Sequence, residues 1–292
     1  MACRCLGKGE RCEVPGASGR DLTMILTRKR VVLIAIPLML VIAWVSIATR
    51  TALQASRTRA IVESHDFTKA SAGVAGLGGP ERALPLLTEY IDLPDDDAPL
   101  KERAIVMLGA CGTPAVPVLV RLLDDPKYAR HSALALSIVG PSAIEALPSL
   151  IKVLASDDDS LRRRAVAALA AIGPAAKDAV PNLEPLLEDR DPCVAVFAAG
   201  AIWGITHDPE KPLATLLKVL KDEQDPSDAK PFAVFFLGTM GSEARSAAGE
   251  IEKALTSKDP MLRGAAEYAL DSIRGLDHGS ANPVMMPPVK TK

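Results

Sequence analysis

Aromatic side chains are scarce in this chain: five Phe, three Tyr and two Trp make up 3% of 292 residues. Histidine is scarcer, with His65, His131, His207 and His278 far apart and without cysteine partners. Alternating runs of Val, Ile and Thr that would read as strands are missing. There is no G-x-S-x-G, H-E-x-x-H, P-loop or G-x-G-x-x-G, so neither an activated nucleophile nor a zinc helix nor a phosphate cradle is visible. His207 and Asp208 share one turn and read as structural. The expectation is a chain that is not an enzyme and holds no cofactor and no metal. A basic surplus is also lacking, since the formal net charge is −2. Residues 1–55 carry 8 Lys/Arg and 3 Asp/Glu, which leaves 26 basic and 33 acidic groups in the rest, a net of −7. An acidic body with few aromatics is a poor phosphate binder, so no nucleic acid is expected as a partner.

The apolar content is 48%, enough for a sizeable core. Ala and Leu dominate it, which suits closely packed helices. One stretch, residues 31–49, "VVLIAIPLMLVIAWVSIAT", carries no charge. As a helix it would span about 28 Å, the thickness of the bilayer hydrocarbon. Arg28, Lys29 and Arg30 precede it and Trp44 lies near its far end, so it reads as a transmembrane signal-anchor. A cleaved signal peptide ending near Ala48, or a start at Met24, are the competing readings. The positive-inside tendency puts the N-terminus in the cytoplasm and the rest outside, in the periplasm if the source is bacterial. Cys3, Cys5 and Cys12 lack a nearby fourth ligand and read as reduced thiols. Cys111 and Cys193 stand two to three repeats apart, too far to bridge one another.

The repeat is a recurrence of helix ends. They fall at Gly78, Gly112, Gly140, Gly173, Thr206, Gly241 and Arg274, each 28 to 35 residues after the last. Four positions back stand Val74, Leu108, Leu136, Leu169, Ile202, Leu237 and Leu270. Eight back stand Ala70, Ala104, Ser132, Ala165, Ala198, Ala233 and Ala266. One back stand Leu77, Cys111, Val139, Ile172, Ile205, Met240 and Ile273. At 100° per residue these share one face, with small residues where a neighbouring helix comes close. A period in this range marks stacked helical hairpins, none stable alone. Gly at the anchor is suited to a left-handed dihedral, and Pro141 and Pro174 after it begin the next helix. Acidic clusters such as "LLDDP" and "LLEDRDP" close the second helices, where they cap the following helix rather than bind calcium.

Leu161, Arg162, Ala165, Ala168, Leu169, Ile172, Gly173, Ala176, Ala179, Pro181, Leu183, Leu187 and Asp189 together resemble the short bacterial HEAT-like repeat. The resemblance covers about residues 64–275, is best at 129–190 and weakens at 193–222, where Thr206 and His207 replace Gly and Pro. It implies a right-handed α-solenoid, so the chain is expected to be all-α, with about six HEAT-like hairpins; the partnerless helix at 262–274 reads as a closing helix, and the uncharged run 31–49 places one transmembrane helix in front. It also implies action by binding, without saying which ligand; the expectation is a scaffold or adaptor for a protein partner. The alternatives are a non-catalytic regulatory subunit of an enzyme or a lyase-like HEAT-repeat enzyme. The expected order is a basic head (1–30), the anchor (31–49), a linker (50–63), the solenoid (64–275) and a disordered tail (276–292).

Two surface features stand out. On the first helices at 193–204 and 231–241, the outer positions that hold Arg130 with His131 and Arg163 with Arg164 elsewhere become Val196 with Phe197 and Pro231 with Phe232. Trp203 and Phe235 fall about 155° and about 145° from the packed face. Val196, Phe197, Trp203, Phe232 and Phe235 are therefore expected to point outward as a partner-binding patch, unless neighbouring helices cover them. The second helices carry a basic ladder, Arg121, Lys152, Lys218 and Lys253. In a HEAT solenoid these helices line the concave side, so the ladder would meet an acidic partner or simply solvent.

Overall fold

The computed structural model describes residues 49, 52–63, 70–93, 98–222 and 228–276. The basic head, nearly all of the hydrophobic run, Cys3, Cys5, Cys12, His65, His278 and the tail beyond Leu276 lie outside the described residues. The chain divides into Met1–Ser56 and Arg57–Lys292. In the first unit residues 52–56 are helical, and Ser56 Oγ donates to the Leu53 carbonyl at 2.9 Å. The stretch expected as linker is thus helical where it is described.

In the second unit every regular element among the described residues is a helix. After α1 (57–63) they alternate as first and second members of hairpins: α2 (Ala70–Gly76) with α3 (Pro80–Asp92), α4 (Ala98–Gly109) with α5 (Val116–Leu123), α6 (Ala129–Val139) with α7 (Leu147–Val153), α8 (Asp159–Ile172) with α9 (Val180–Leu183), α10 (Pro192–Thr206) with α11 (Glu210–Lys221), and α12 (Ala229–Thr239) with α13 (Ala248–Ala254). Among the described residues, α14 (Pro260–Arg274) is the final helix of the row. First helices pack in single file, α2 on α4, then α6, α8, α10, α12 and α14. This is an α-solenoid, and its core is a line of shared interfaces rather than one centre.

The recurring positions explain the stacking. The small residue eight before each helix end is fully buried from Ala104 to Ala266, Ser132 included. Four before, Leu108, Leu136, Leu169 and Leu237 are likewise fully enclosed. Alternating small and large side chains let layers interdigitate at interior density. Cys111 and Cys193 are buried and unbridged, and burial pushes the Cys111 thiol up to about 11.

The breaks depart from a plain helix–turn–helix. From Gly140, Gly173 and Gly241 the chain runs through seven residues of 3₁₀ turns (Gly140–Ala146, Gly173–Ala179, Gly241–Ala247) before the second helix begins, the first two kinked where Ala143 (φ −84°, ψ 16°) and Ala176 (φ −83°, ψ 17°) leave the helical region. In each segment a pair of alanines three apart, Ala143 with Ala146, Ala176 with Ala179 and Ala244 with Ala247, has no exposed surface. Gly140 and Gly173 adopt φ 69°, ψ −138° and φ 73°, ψ −146°, a region essentially restricted to glycine. The hairpin of α10 and α11 solves the turn differently. His207, not Thr206, takes the left-handed conformation (φ 57°, ψ 22°), which a non-glycine residue tolerates better, and no 3₁₀ segment comes after it. At the end of α14 the same shift puts Gly275, not Arg274, at positive φ.

Helix starts coincide with the acidic clusters. Asp158 Oδ1 accepts from the Ser160 and Leu161 amides at 2.9 and 3.2 Å, Asp191 from Cys193 at 2.8 Å and Asp259 from Met261 at 2.9 Å. The longest apolar helical stretch described, Ala129–Val153, has the length and composition to cross a membrane. It is a hairpin instead, bent at Gly140.

Candidate functional site: the outer face of the first helices

Successive first helices present equivalent outer positions in a row. The row reads Glu102 and Arg103 on α4, Arg130 and His131 on α6, and Arg163 and Arg164 on α8. It then turns apolar, with Val196 and Phe197 on α10 and Pro231 and Phe232 on α12.

The apolar half is only partly outward. Val196 is fully buried and Phe232 is 6% exposed. Both correct the expectation of an outward side chain, and the cause lies in α10. One side of that helix, Ala198, Ala201, Ile202 and Ile205, joins the core built with the preceding layers. Another, Cys193, Val196 and Ala199, joins the core built with α12 and α14. A helix apolar all round is here a helix between two cores. Phe197, Trp203 and Phe235 remain half-buried.

Their rings connect. Phe197 meets Phe232 at 5.3 Å and Phe236 at 5.7 Å between centroids, the latter edge-on. Phe236 meets Phe235 at 5.6 Å, and Phe235 stacks on Tyr268 of α14 at 5.8 Å with 18° between planes. Trp203 lies against the His207 imidazole at 5.5 Å. Such pairs contribute about 0.5–1.5 kcal/mol beyond burial. Phe197, Phe235, Phe236 and Tyr268, all half-buried, form a strip over three layers. Phe236 and Tyr268 were missed in the sequence because neither stands at the positions compared. Glycine gives them room: a Cβ on Gly200 would sit 2.4–2.6 Å from the Phe236 ring, and one on Gly238 2.9–3.0 Å from Tyr268. A small residue in one first helix facing an aromatic in the next was the available signal.

The charged half is held by few partners. Arg130 Nε lies 3.4 Å from Asp158 Oδ2, and His131 Nε2 lies 3.6 Å from Glu102 Oε2. Burial above all, with Arg164 and Arg130 nearby, draws the His131 pKa below its ordinary value, against the pull of Glu102. Burial, and then Arg163 and Arg130, likewise lower that of Arg164.

The basic ladder is exposed, and its acids come from neighbours. Arg121 pairs with Asp92 at 3.0 Å and Lys152 with Asp124 at 3.0 Å, each reaching back to the end of the preceding second helix. Lys253 pairs with Glu250 on its own helix at 2.9 Å. Lys218 borders a small cleft with Glu188, Asp189 and Asp222. Beside it a shallow groove of about 510 Å³, lined by Pro181, Glu184, Leu187 and Thr215 among others, is crossed by the Lys211–Glu184 pair at 2.7 Å. Exposed pairs of this kind contribute about 0–1 kcal/mol each.

A buried pair stands apart. Arg162 grips Asp189 through Nε–Oδ2 at 2.9 Å and Nη2–Oδ1 at 2.6 Å, with both side chains 7% exposed or less. Its remaining donors reach the Ser156 carbonyl and Asp159 Oδ1, both at 2.8 Å. Arg263 repeats the first of these on α14, donating to the Ser257 carbonyl at 2.6 Å. The pair fastens a first helix to the end of its own hairpin. Among the described residues no three His, Cys, Asp or Glu side chains converge as a metal site.

Residues 147–230 match the family profile described as HEAT repeats. No curated protein is a significant sequence relative of the chain. Similar solved structures include an engineered protein from the Northeast Structural Genomics Consortium (24% identity, 75% of this chain and 96% of that one, TM-score 0.44). Another is the complex of CpcE and CpcF of phycocyanin lyase from Nostoc sp. PCC7120 (22%, 75% and 94%, TM-score 0.48). A third is the archaeal HEAT-like repeats protein from Thermococcus onnurineus NA1 (17%, 76% and 97%, TM-score 0.45).

Proposed function

The chain belongs to the HEAT-repeat family, and from that premise we propose that it is a membrane-anchored adaptor that binds a protein partner through the outer face of α10, α12 and α14. One observation carries the reading. In a chain that is 3% aromatic, Phe197, Phe235, Phe236 and Tyr268 form one half-exposed strip, with Trp203 on the same α10. Large rings on a rigid scaffold bind at low entropic cost and are the usual anchors of protein interfaces. About six hairpins in a right-handed row supply that scaffold. The uncharged run 31–49, behind Arg28, Lys29 and Arg30, supports the anchor and an extracytoplasmic solenoid.

A photocrosslinking residue at Trp203 or at Phe235 in cells tests the interface. Discrete adducts with one protein are expected from both sites, with none from the exposed ladder position Lys152. Adducts from Lys152 alone would move the interface to the second helices and overturn this assignment. Retention of the full chain in alkaline-washed membranes tests the anchor, and full release to the supernatant would remove it.

A further inference from the structure

The outer row changes character between α8 and α10, and its charged half is under-compensated. Arg130, Arg163, Arg164 and His131 gather on α6 and α8, facing Glu102 and Asp158 from α4 and the start of α8. Asp158 already gives Oδ1 to the α8 N-terminus. Of the three arginines only Arg130 is ion-paired among the described residues. Arg164 is half-buried and feels two other guanidinium groups. A guanidinium fork so placed binds a carboxylate in two parallel hydrogen bonds.

We propose that Arg163 and Arg164, with Arg130, bind an acidic side chain of the partner protein whose apolar side chain docks on the neighbouring aromatic strip. This rests on the partner-face reading and names the chemistry of what docks there. The register is favourable. Arg164 and Phe197 stand at equivalent positions of adjacent first helices, nine residues before the helix ends at Gly173 and Thr206. Stacked helices lie about 8–10 Å apart, and an extended chain covers about 3.3 Å per residue. Acidic and apolar residues of the partner are therefore about three positions apart for α10, and about six for α12. Charge selects the occupant. The region after residue 55 carries a net −7, which repels an extended polyanion such as nucleic acid or an anionic membrane while one or two carboxylates still reach the local arginines.

Selection of a phage library of random 16-residue peptides on the detergent-solubilised full chain tests this. The expected result is enrichment of Trp, Phe or Leu, with Asp or Glu three to six positions away. In Arg163→Gln/Arg164→Gln the acidic enrichment disappears, the apolar enrichment stays, and the best acidic peptide weakens about tenfold in fluorescence anisotropy. Arg163→Lys/Arg164→Lys, which keeps the charge but loses the bidentate fork, binds the acidic peptide with an affinity between those of the native and Gln chains, and an unchanged thermal melt shows that the Gln variant is folded. Should it not fold, Arg163→Gln alone reads the same loss at a half-exposed side chain. Apolar enrichment without acidic residues overturns this inference and leaves the partner face standing. No enrichment of either kind overturns both. Binding to phosphatidylglycerol vesicles that the Gln variant loses assigns the arginines to lipid headgroups and also overturns it.

Discussion

Gly200 has no side chain because the Phe236 ring occupies the place of one. Gly200→Ala puts a Cβ 2.4–2.6 Å from three ring atoms, so the ring or α12 must shift. The expected cost is about 1–3 kcal/mol, read as a lower urea midpoint. Gly204, one turn further along α10, faces open space. Gly204→Ala is expected to stabilise by about 0.5–1 kcal/mol through helix propensity and serves as the control. His131 sets a pH dependence of its own. Its pKa is lowered from 6.5 in the folded state, by burial first and then by Arg164 and Arg130. Below 6.5 the unfolded chain therefore binds the proton more readily. The stability this neutral imidazole contributes is fully present above 6.5 and is lost as pH falls through the folded pKa. Thermal melts between pH 5 and 7.5 should fall on the acid side, less steeply in His131→Gln. Single residues were the least legible level in the sequence. Val196 and Phe232 look outward on a helical wheel, but a wheel knows only one packed face, and α10 has two.

Between α8 and the end of its hairpin, the Arg162–Asp189 pair replaces apolar packing. Removing one partner strands a buried charge, so Arg162→Ala is expected to cost about 3–5 kcal/mol. Arg162→Met with Asp189→Leu should recover most of that, since it removes both charges and keeps volume. Recovery in chemical denaturation shows that the stranded charge, rather than the loss of the pair, is what the single variant loses; an additive double loss refutes that. Asp259→Ala, which removes only the α14 cap, should cost about 1 kcal/mol. Elements were largely readable from sequence, because periodicity reports burial directly: from Ala104 to Leu270 the positions four and eight before the helix ends are the enclosed ones. The 3₁₀ turns were not readable. Gly-Pro announces a break and a restart, but neither the kinks at Ala143 and Ala176 nor the enclosure of alanines three apart, which depend on the layers packed around them.

At the scale of the whole repeat region, α14 acts as the closing layer. Glu267, at the position that Val166 holds on α8, is exposed where a further helix would otherwise stack. Ending the chain after Thr256 uncovers the face of α12 that α14 packs on. In detergent, that truncation should bind more hydrophobic dye and self-associate further in light scattering than the chain ended after Leu276, which shares the 31–49 run. The architecture was legible because one short unit recurs. The surface chemistry was only half legible, since charged and aromatic rows emerge when equivalent positions of different hairpins come side by side. The glycine–aromatic contacts have an evolutionary corollary. Between α6 and α8 the layers meet without such a lock, so a copied 129–190 segment can be spliced in beside its parent. Between α10, α12 and α14 each ring fits one glycine of the preceding helix. There a duplicated layer would arrive with its key facing the wrong keyhole, as it would between α4 and α6, where a Cβ on Gly109 would meet the Ala135 carbonyl at 2.6 Å, so the row is easiest to lengthen in its middle.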